Sequence, residues 1–463
     1  MRRTNLFGFV LIIMALVFMG CGRQPEVSNT AQETVTETVP EPELIEIRDL
    51  SEAWDVILNN STKEFIGGHR IDEGFMSFVT AEYGGDAIET IAAYANFLTP
   101  EVWFETTGKS IHVLWNEYCQ ITGLDENENI LYMESASDDE FVMDFSGDLS
   151  LAENVGTTEY MNHQINGITD CFSEDLLEEM RSADFFMINN EFAYTSYSGA
   201  LKGKTYTFKA APGNLSLLNE IGVDAVGIAN NHVYDYDETG FLDTLATLKK
   251  GAMPFVGAGK NLDEASKPIY IIANGRKIGI LAATQIERTK DFTKEADDHS
   301  GGVLKCLKPQ YFNQLIAKTK RKCDILIVFV HWGTEGVRNY GSDQRSLARG
   351  FVESGADAII GGHTHCLQTV EFMDNVPIYY SLGNYYFSVS KSMPNAYNTG
   401  LAQLRVQRDG SLQSYFIPAR FDSGVTRGLN KKDDAYGDII NDLNSLSNSA
   451  TIDEDGLITK KQQ

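Results

Sequence analysis

Basic side chains are scarce in this sequence: 38 lysines and arginines stand against 65 aspartates and glutamates, a formal net charge of -27. Binding a phosphate backbone needs a basic surface, so the composition argues against nucleic acid as a partner. The acidity reads as a solvated surface. No Cys-x-x-Cys pair occurs among the six cysteines, Cys21, Cys119, Cys171, Cys306, Cys323 and Cys366. Their scatter supports neither a zinc ribbon nor a disulfide scaffold, and Cys366 reads as a small buried thiol. The apolar run from Leu6 to Met19, broken by Gly8, is short for a spanning helix, and no internal repeat is evident. What remains is a globular composition, 43% hydrophobic and 22% charged over 463 residues. That length suffices for one large domain with additions, or for two or three domains.

Arg2 and Arg3, the apolar run and Gly20-Cys21 together read as a secretory signal over residues 1–20 with Cys21 as a lipidated first residue. An uncleaved anchor or a simple cleaved signal are the alternatives, and all three put the body outside the cytoplasm. Residues 21–49, rich in Glu, Thr, Pro and Gln, read as a disordered tether. Apolar residues at three- and four-residue spacing, as in Ala53–Leu58 and Ile88–Tyr94, predict a helical segment over residues 50–140. It holds no catalytic constellation, and His69 and His112 read as structural. A domain over 141–425 and a C-terminal tail over 426–463, polar and expected to fray from about Leu443, complete the chain.

From Phe141 onward β-type runs alternate with helical ones, which predicts an α/β domain. Helical patterns cover Glu174 to Arg181, Leu215 to Ile221, Gly240 to Lys249, Gln310 to Lys318 and Gln344 to Ser354. Five apolar runs end in chemistry-bearing residues: Phe141–Phe145 precedes Asp148, Ala183–Ile188 precedes Glu191, and Val223–Ala229 leads into Asn231-His232. The last two are Asp324–Val330 before His331 and Ala358–Gly362 before His363-Thr364-His365. Alternate side chains of an extended segment point the same way, so His363 and His365 are expected to converge. A lone His-x-His fits an ordinary polar loop equally well, and Asp148 or Glu191 alone fits a helix cap or surface charge. Five such residues at five strand ends fit a clustered site, because ligands of α/β folds collect beyond the carboxyl ends of strands. After His365, Val376–Phe387 and Leu401–Val406 read as strands of a second sheet, with a hairpin turn at Arg408–Ser411.

Gly147-Asp148, Asn190-Glu191, Asn231-His232, His331-Trp332-Gly333 and Gly362-His363-Thr364-His365, in this order and spacing, resemble the CapA-type capsule-synthesis proteins. These form the poly-γ-glutamate synthesis branch of the calcineurin-like metallophosphoesterases. The resemblance runs from about Phe141 to Ala419. It implies a four-layer sandwich of two mixed β-sheets flanked by helices, with a metal site at one edge. It further implies Asp148, Glu191, Asn231, His331, His363 and His365 as metal ligands, with Glu191 at the bridging position, and His232 as the catalytic histidine. One or two divalent ions, Mn, Fe or Zn, suit such a mixed oxygen and nitrogen set. Two departures stand out. Asp148-Leu149-Ser150 lacks the Asp-x-His histidine of ordinary metallophosphoesterases, and Glu191 is a methylene longer than the usual aspartate. Glu335, four residues after His331, reads either as a further carboxylate ligand or as a surface glutamate.

The expected function is that of a membrane-anchored, metal-dependent hydrolase or transferase acting on an anionic or amide-linked envelope polymer, with a membrane synthase complex as a candidate partner. A non-catalytic scaffold of a surface assembly and a phosphoesterase or nucleotidase are the alternatives. A polyanionic substrate meets an acidic protein here, so Lys202, Lys204 and Lys209 are candidates for a local basic patch.

Overall fold

The computed structural model describes residues 44–61, 71–94, 100–122, 129–137, 139–287, 292–388 and 397–461. The predicted signal, Cys21, most of the tether, His69 and the His112 side chain lie outside what is described.

Two sheets stack face to face. The seven-stranded one runs Ile130–Tyr132, Ile269–Ala273, Arg276–Thr284, Ile325–His331, Ala358–Gly362, Val376–Tyr379 and Val370–Met373 from edge to edge. Its three central neighbours from Arg276 to Gly362 are parallel. The eight-stranded one runs Val425–Gly428, Leu412–Asp422, Asn398–Gln407, Glu140–Leu149, Phe185–Asn190, Ala225–Gly227 and Phe255–Val256, with Asn384–Tyr386 also paired to Glu140–Leu149. Alternation along the central strands explains the layering. Ile325, Ile327 and Phe329 meet Phe141, Met143, Phe145, Phe185 and Met187 between the sheets. Leu326, Val328 and Val330 face outward onto Phe312, Leu347 and Phe351, from helices Gln310–Lys320 and Ser342–Glu353. On the far side Phe186, Ile188 and Val226 meet Leu176, Met180, Phe241 and Leu245, from helices Glu174–Ser182 and Asp237–Lys250. Burial on both faces is why these strands read as continuous apolar runs. The result is the four-layer mixed α/β sandwich that the resemblance implies.

The segment from residue 50 forms helices Leu50–Asn60, Glu73–Tyr83, Gly85–Ala93, Pro100–Thr107 and Ile111–Thr122, the first two capped by the Asp49 and Asp72 carboxylates. Phe75, Trp103 and Trp115 anchor their core, which extends onto Tyr270 and Ile272 of the neighbouring sheet. The same segment supplies the sheet's edge strand, Ile130–Tyr132.

Two parts differ from expectation. Residues beyond Leu443 do not fray: helix Asp434–Leu446 and the hairpin Ala450–Ile452/Ile458–Lys460 bury Ile439, Ile440, Leu443, Ile452 and Ile458 in the core between the sheets. Their apolar residues are sparse but correctly phased, so polar composition hides the pattern. The strand through Asp148 also does not stop at Phe145. It continues to Leu149 through a β-bulge: Phe145 pairs with Met187, yet Asp148 pairs with Asn189. One extra residue on this strand reverses the alternation, turning Asp148 toward the space between the sheets and Leu149 toward the helices.

Candidate metal centre

The parallel strands of both sheets end at one edge, and the predicted residues meet there. Asp148 lies within its strand, Glu191 directly follows Phe185–Asn190, and Asn231 and His232 follow Ala225–Gly227. His331 ends its strand, while His363 and His365 follow Ala358–Gly362. All seven are buried. The two histidines do not converge by extended alternation, because His363 and His365 have φ of 86° and 54°. A left-handed loop turns both rings into the site, a conformation unusual for a residue with a β-carbon. Gly362 permits the approach beneath them, since a β-carbon there would lie 2.8 Å from Asp148 Oδ1.

The His331 Nε2 atom sits 2.7 Å from Asn231 Oδ1, 3.1 Å from His363 Nδ1 and 3.3 Å from Glu191 Oε1. One N–H can serve only one of these acceptors, and Glu191 Oε1 is buried without a hydrogen-bond partner. A cation among the four atoms would satisfy the whole group. Glu191, His331 and His363 form one set whose ligand atoms lie within 4.8 Å of one another, and Asp148, Glu191 and His365 form a second. Glu191 belongs to both, so the donor set fits one or two ions, with oxygen and nitrogen ligands of the kind Mn, Fe or Zn accept. Asn231 brings its side-chain oxygen to the first set against His331, whereas Glu335 is exposed and belongs to neither.

Burial governs the electrostatics. It holds the His331 imidazole down at about 3, so the ring is neutral and offers a lone pair. Burial also raises the Glu191 carboxyl well above its usual range, helped by the nearby Asp148 charge. Burial opposes ionisation of Asp148 and of His365 too. In these two, mutual contact at 3.4 Å prevails, lowering the acid and raising the imidazole, with His331 and Asn189 adding to the effect on Asp148.

Several contributors lie outside the predicted set. Asn189 donates to Asp148 at 2.8 Å and has its Oδ1 occupied by Asn230 at 3.0 Å. Strand alternation from Phe185 and Met187 places Asn189 on this face, a signal present in the sequence. Asn384 lies 2.8 Å from His365 Nδ1, and Asp235 lies 2.7 Å from His232 Nδ1. The basic patch takes a different form from the one expected. Lys204 is 8% exposed and its ammonium lies 2.6 Å from Asp235, because a buried cation needs an acid beside it. Lys209 lies against Glu153 and the Tyr236 ring, and Lys202 is exposed.

A family model described as bacterial capsule synthesis protein PGA_cap matches residues 142–389. The chain is similar to the PGA biosynthesis protein CapA of Bacillus subtilis (strain 168), 32% identical over 247 residues, 53% of this chain and 63% of that protein. It is also similar to the capsule biosynthesis protein CapA of Bacillus anthracis, 30% identical over 240 residues, 50% of this chain and 55% of that one. The matches thus span less than two thirds of either relative. A solved structure of a hypothetical protein from Thermus thermophilus is similar at 16% identity and a TM-score of 0.35, covering 60% of this chain and 99% of that one.

Proposed function

The chain belongs to the bacterial capsule synthesis family PGA_cap, within the metallophosphoesterase-like superfamily, and from that premise we propose that it is a metal-dependent hydrolase or transferase acting on an amide-linked, anionic envelope polymer of the poly-γ-glutamate kind. The observation that carries the reading is Glu191, shared by two buried donor sets and left with an unpartnered oxygen. Asp148, Glu191, Asn231, His331, His363 and His365 would hold the ions. When bound, such ions supply Lewis acidity and lower the pKa of a coordinated water.

The remaining residues prepare the site for cleavage. His232 is a buried titratable side chain outside both donor sets, with Nε2 4.0 Å from Glu191 Oε1. From there the doubly protonated ring, its Nδ1–H held by Asp235 at 2.7 Å, can give the Nε2 proton to a departing amine. Phe208 lies 4.5 Å from the His232 ring and Phe387 5.0 Å from the His365 ring, forming an apolar wall that restricts water. This body would work outside the cytoplasm, anchored through Cys21 beside synthase machinery that supplies the polymer.

The test is direct. Purified protein is incubated with γ-linked polyglutamate, and new amino termini are counted with and without chelator. Metal-dependent release that falls by about a hundredfold or more in His232→Ala supports the proposal. Chelator-insensitive release, or an unchanged rate in that variant, rejects it.

A further inference from the structure

The strand Asn398–Gln407 runs antiparallel to Glu140–Leu149, so its first residues stand at the rim where Asp148 lies. The approach is close. A β-carbon on Gly383 would lie 3.1 Å from the Asn398 carbonyl oxygen, and the Gly383 carbonyl accepts from the Asp148 N–H at 2.9 Å. A cavity of about 150 Å³ opens beside this strand start, lined by Tyr397, Asn398, Arg420, Ala435, Asp438 and Ile439. Register and helix spacing explain its walls. Asn398 pairs with Arg420, and the Tyr397 carbonyl accepts from the Phe421 N–H at 2.8 Å. Ala419 and Phe421 face the helix layer, so Arg420 projects to the opposite side. There the helix Asp434–Leu446 presents Ala435, Asp438 and Ile439, which share one helical face. These residues lie outside the 142–389 span shared with the family.

The charges around this cavity are unmatched. Among the described residues neither Arg420 nor Asp438 forms an ion pair, although both line the same small space. Arg427, the cross-strand partner of Arg420, is likewise exposed and unpaired among those residues. Like charges directly opposite each other destabilise a strand pair, so sheet stability does not account for the two arginines. A molecule carrying an anion and a cation a few bonds apart would satisfy both walls at once. The amino-terminal residue of a γ-linked glutamate chain has that form: its α-ammonium and α-carboxylate are both free on one carbon, whereas every inner residue keeps only the carboxylate. The volume is about half the smallest usual for a drug-sized molecule, which admits a head group and excludes a length of polymer. We infer that this cavity binds the zwitterionic amino-terminal residue of the polymer, with its carboxylate on the Arg420 guanidinium and its ammonium on Asp438. This rests on the γ-linked polymer proposed as substrate. It adds which part of that polymer is recognised, since cutting a γ-amide creates a new end of the same kind beside the metal centre.

Calorimetry on the full-length protein tests it, with chelator present so that no amide is cut. Three probes are compared: γ-linked triglutamate, the same peptide acetylated at its amino terminus, and the same peptide with the first α-carboxylate converted to a carboxamide. Each modification should weaken binding by about tenfold. Equal affinity for the free and acetylated peptides overturns the inference, as does a free peptide that fails to bind. Arg420→Gln should remove the penalty for the carboxamide and keep that for acetylation, and Asp438→Asn should do the reverse. Both penalties unchanged in both variants overturns the assignment of these two residues. Should a variant fail to fold, the three probes on the wild type still decide. The cleavage assay is read separately. Binding of this pattern in a protein that cuts no polyglutamate leaves the cavity standing and removes the proposed activity. Metal-dependent cutting without preference for the free head does the opposite.

Discussion

Asp144 and Asp148 stand four residues apart on one strand, both fully buried and both close to a second carboxylate, yet their surroundings are opposite in kind. Asp144 faces the helix layer. There the Gln403 side-chain amide donates to it at 3.0 Å and to Glu179 at 2.7 Å, bridging the two acids. Burial, and then the Glu179 charge, push the Asp144 carboxyl well above the ordinary value, which favours its protonated form. Asp148 faces the other sheet, where His331, His363 and His365 gather, and is held low despite burial. A buried acid next to another acid retains a proton, whereas a buried acid among imidazole lone pairs can retain a cation. The bulge between Phe145 and Asp148 separates these two fates by sending the side chains to opposite faces.

The same substitution at both positions should therefore give opposite results. Asp148→Asn is expected to lower metal affinity by more than about a hundredfold, measured by elemental analysis after dialysis against graded metal concentrations. Retention of metal would remove the distinction between the two acids. Gly147→Ala attacks the bulge itself: a β-carbon there would lie 2.0 Å from the Gly383 carbonyl oxygen, which accepts from the Asp148 N–H at 2.9 Å. A loss of about 1–3 kcal/mol in unfolding free energy is expected, together with weaker metal binding. Normal binding with normal stability would show that the bulge does not aim Asp148.

The smallest effect belongs to Asp144→Asn, expected to raise the melting temperature at neutral pH by about 1–2 °C and to leave bound metal unchanged. The sign follows from proton uptake. The folded state holds the Asp144 proton more tightly than the unfolded chain, so this contribution to stability is fully present below about 3.8 and is lost as pH rises toward the raised folded value. The variant should flatten that decline in a series of thermal melts across pH. A steeper decline would mean that the charge of Asp144 is stabilising.

Much of the fold is legible in the sequence because its strands are buried on both faces and end abruptly. Ile325–His331 and Ala358–Gly362 stand out as apolar runs followed by histidine, and the helices between them carry regular spacing. The rest depends on phase or on loop conformation, which residue type records poorly. An exception is the hairpin Ile269–Ala273/Arg276–Thr284, whose Asn274-Gly275 turn, both residues at positive φ, is itself a residue-type signal beside the apolar run Ile269–Ala273. The left-handed histidines leave no trace in residue type, since glycine is the usual sign of such a backbone. Asp235 is three residues from His232 in an irregular turn, where no periodic rule predicts a contact. Asn189 differs from these, because plain alternation with Phe185 and Met187 places it at the site.

The bulge near Gly147 also makes this strand respond unequally to gaining and losing length. Residues sharing a face of an unbroken strand are an even number apart, yet Phe145 and Asp148 are separated by an odd step and still face the same way. A chain one residue shorter between them would reach the same face by simple alternation, so the loss would leave the carboxylate aimed at the imidazoles. A chain one residue longer would have to accommodate a second unpaired residue, or carry the carboxylate two positions further along the same face, about 7 Å past the imidazoles. Insertion can thus silence the centre while every ligand is still encoded, and deletion of the same size need not.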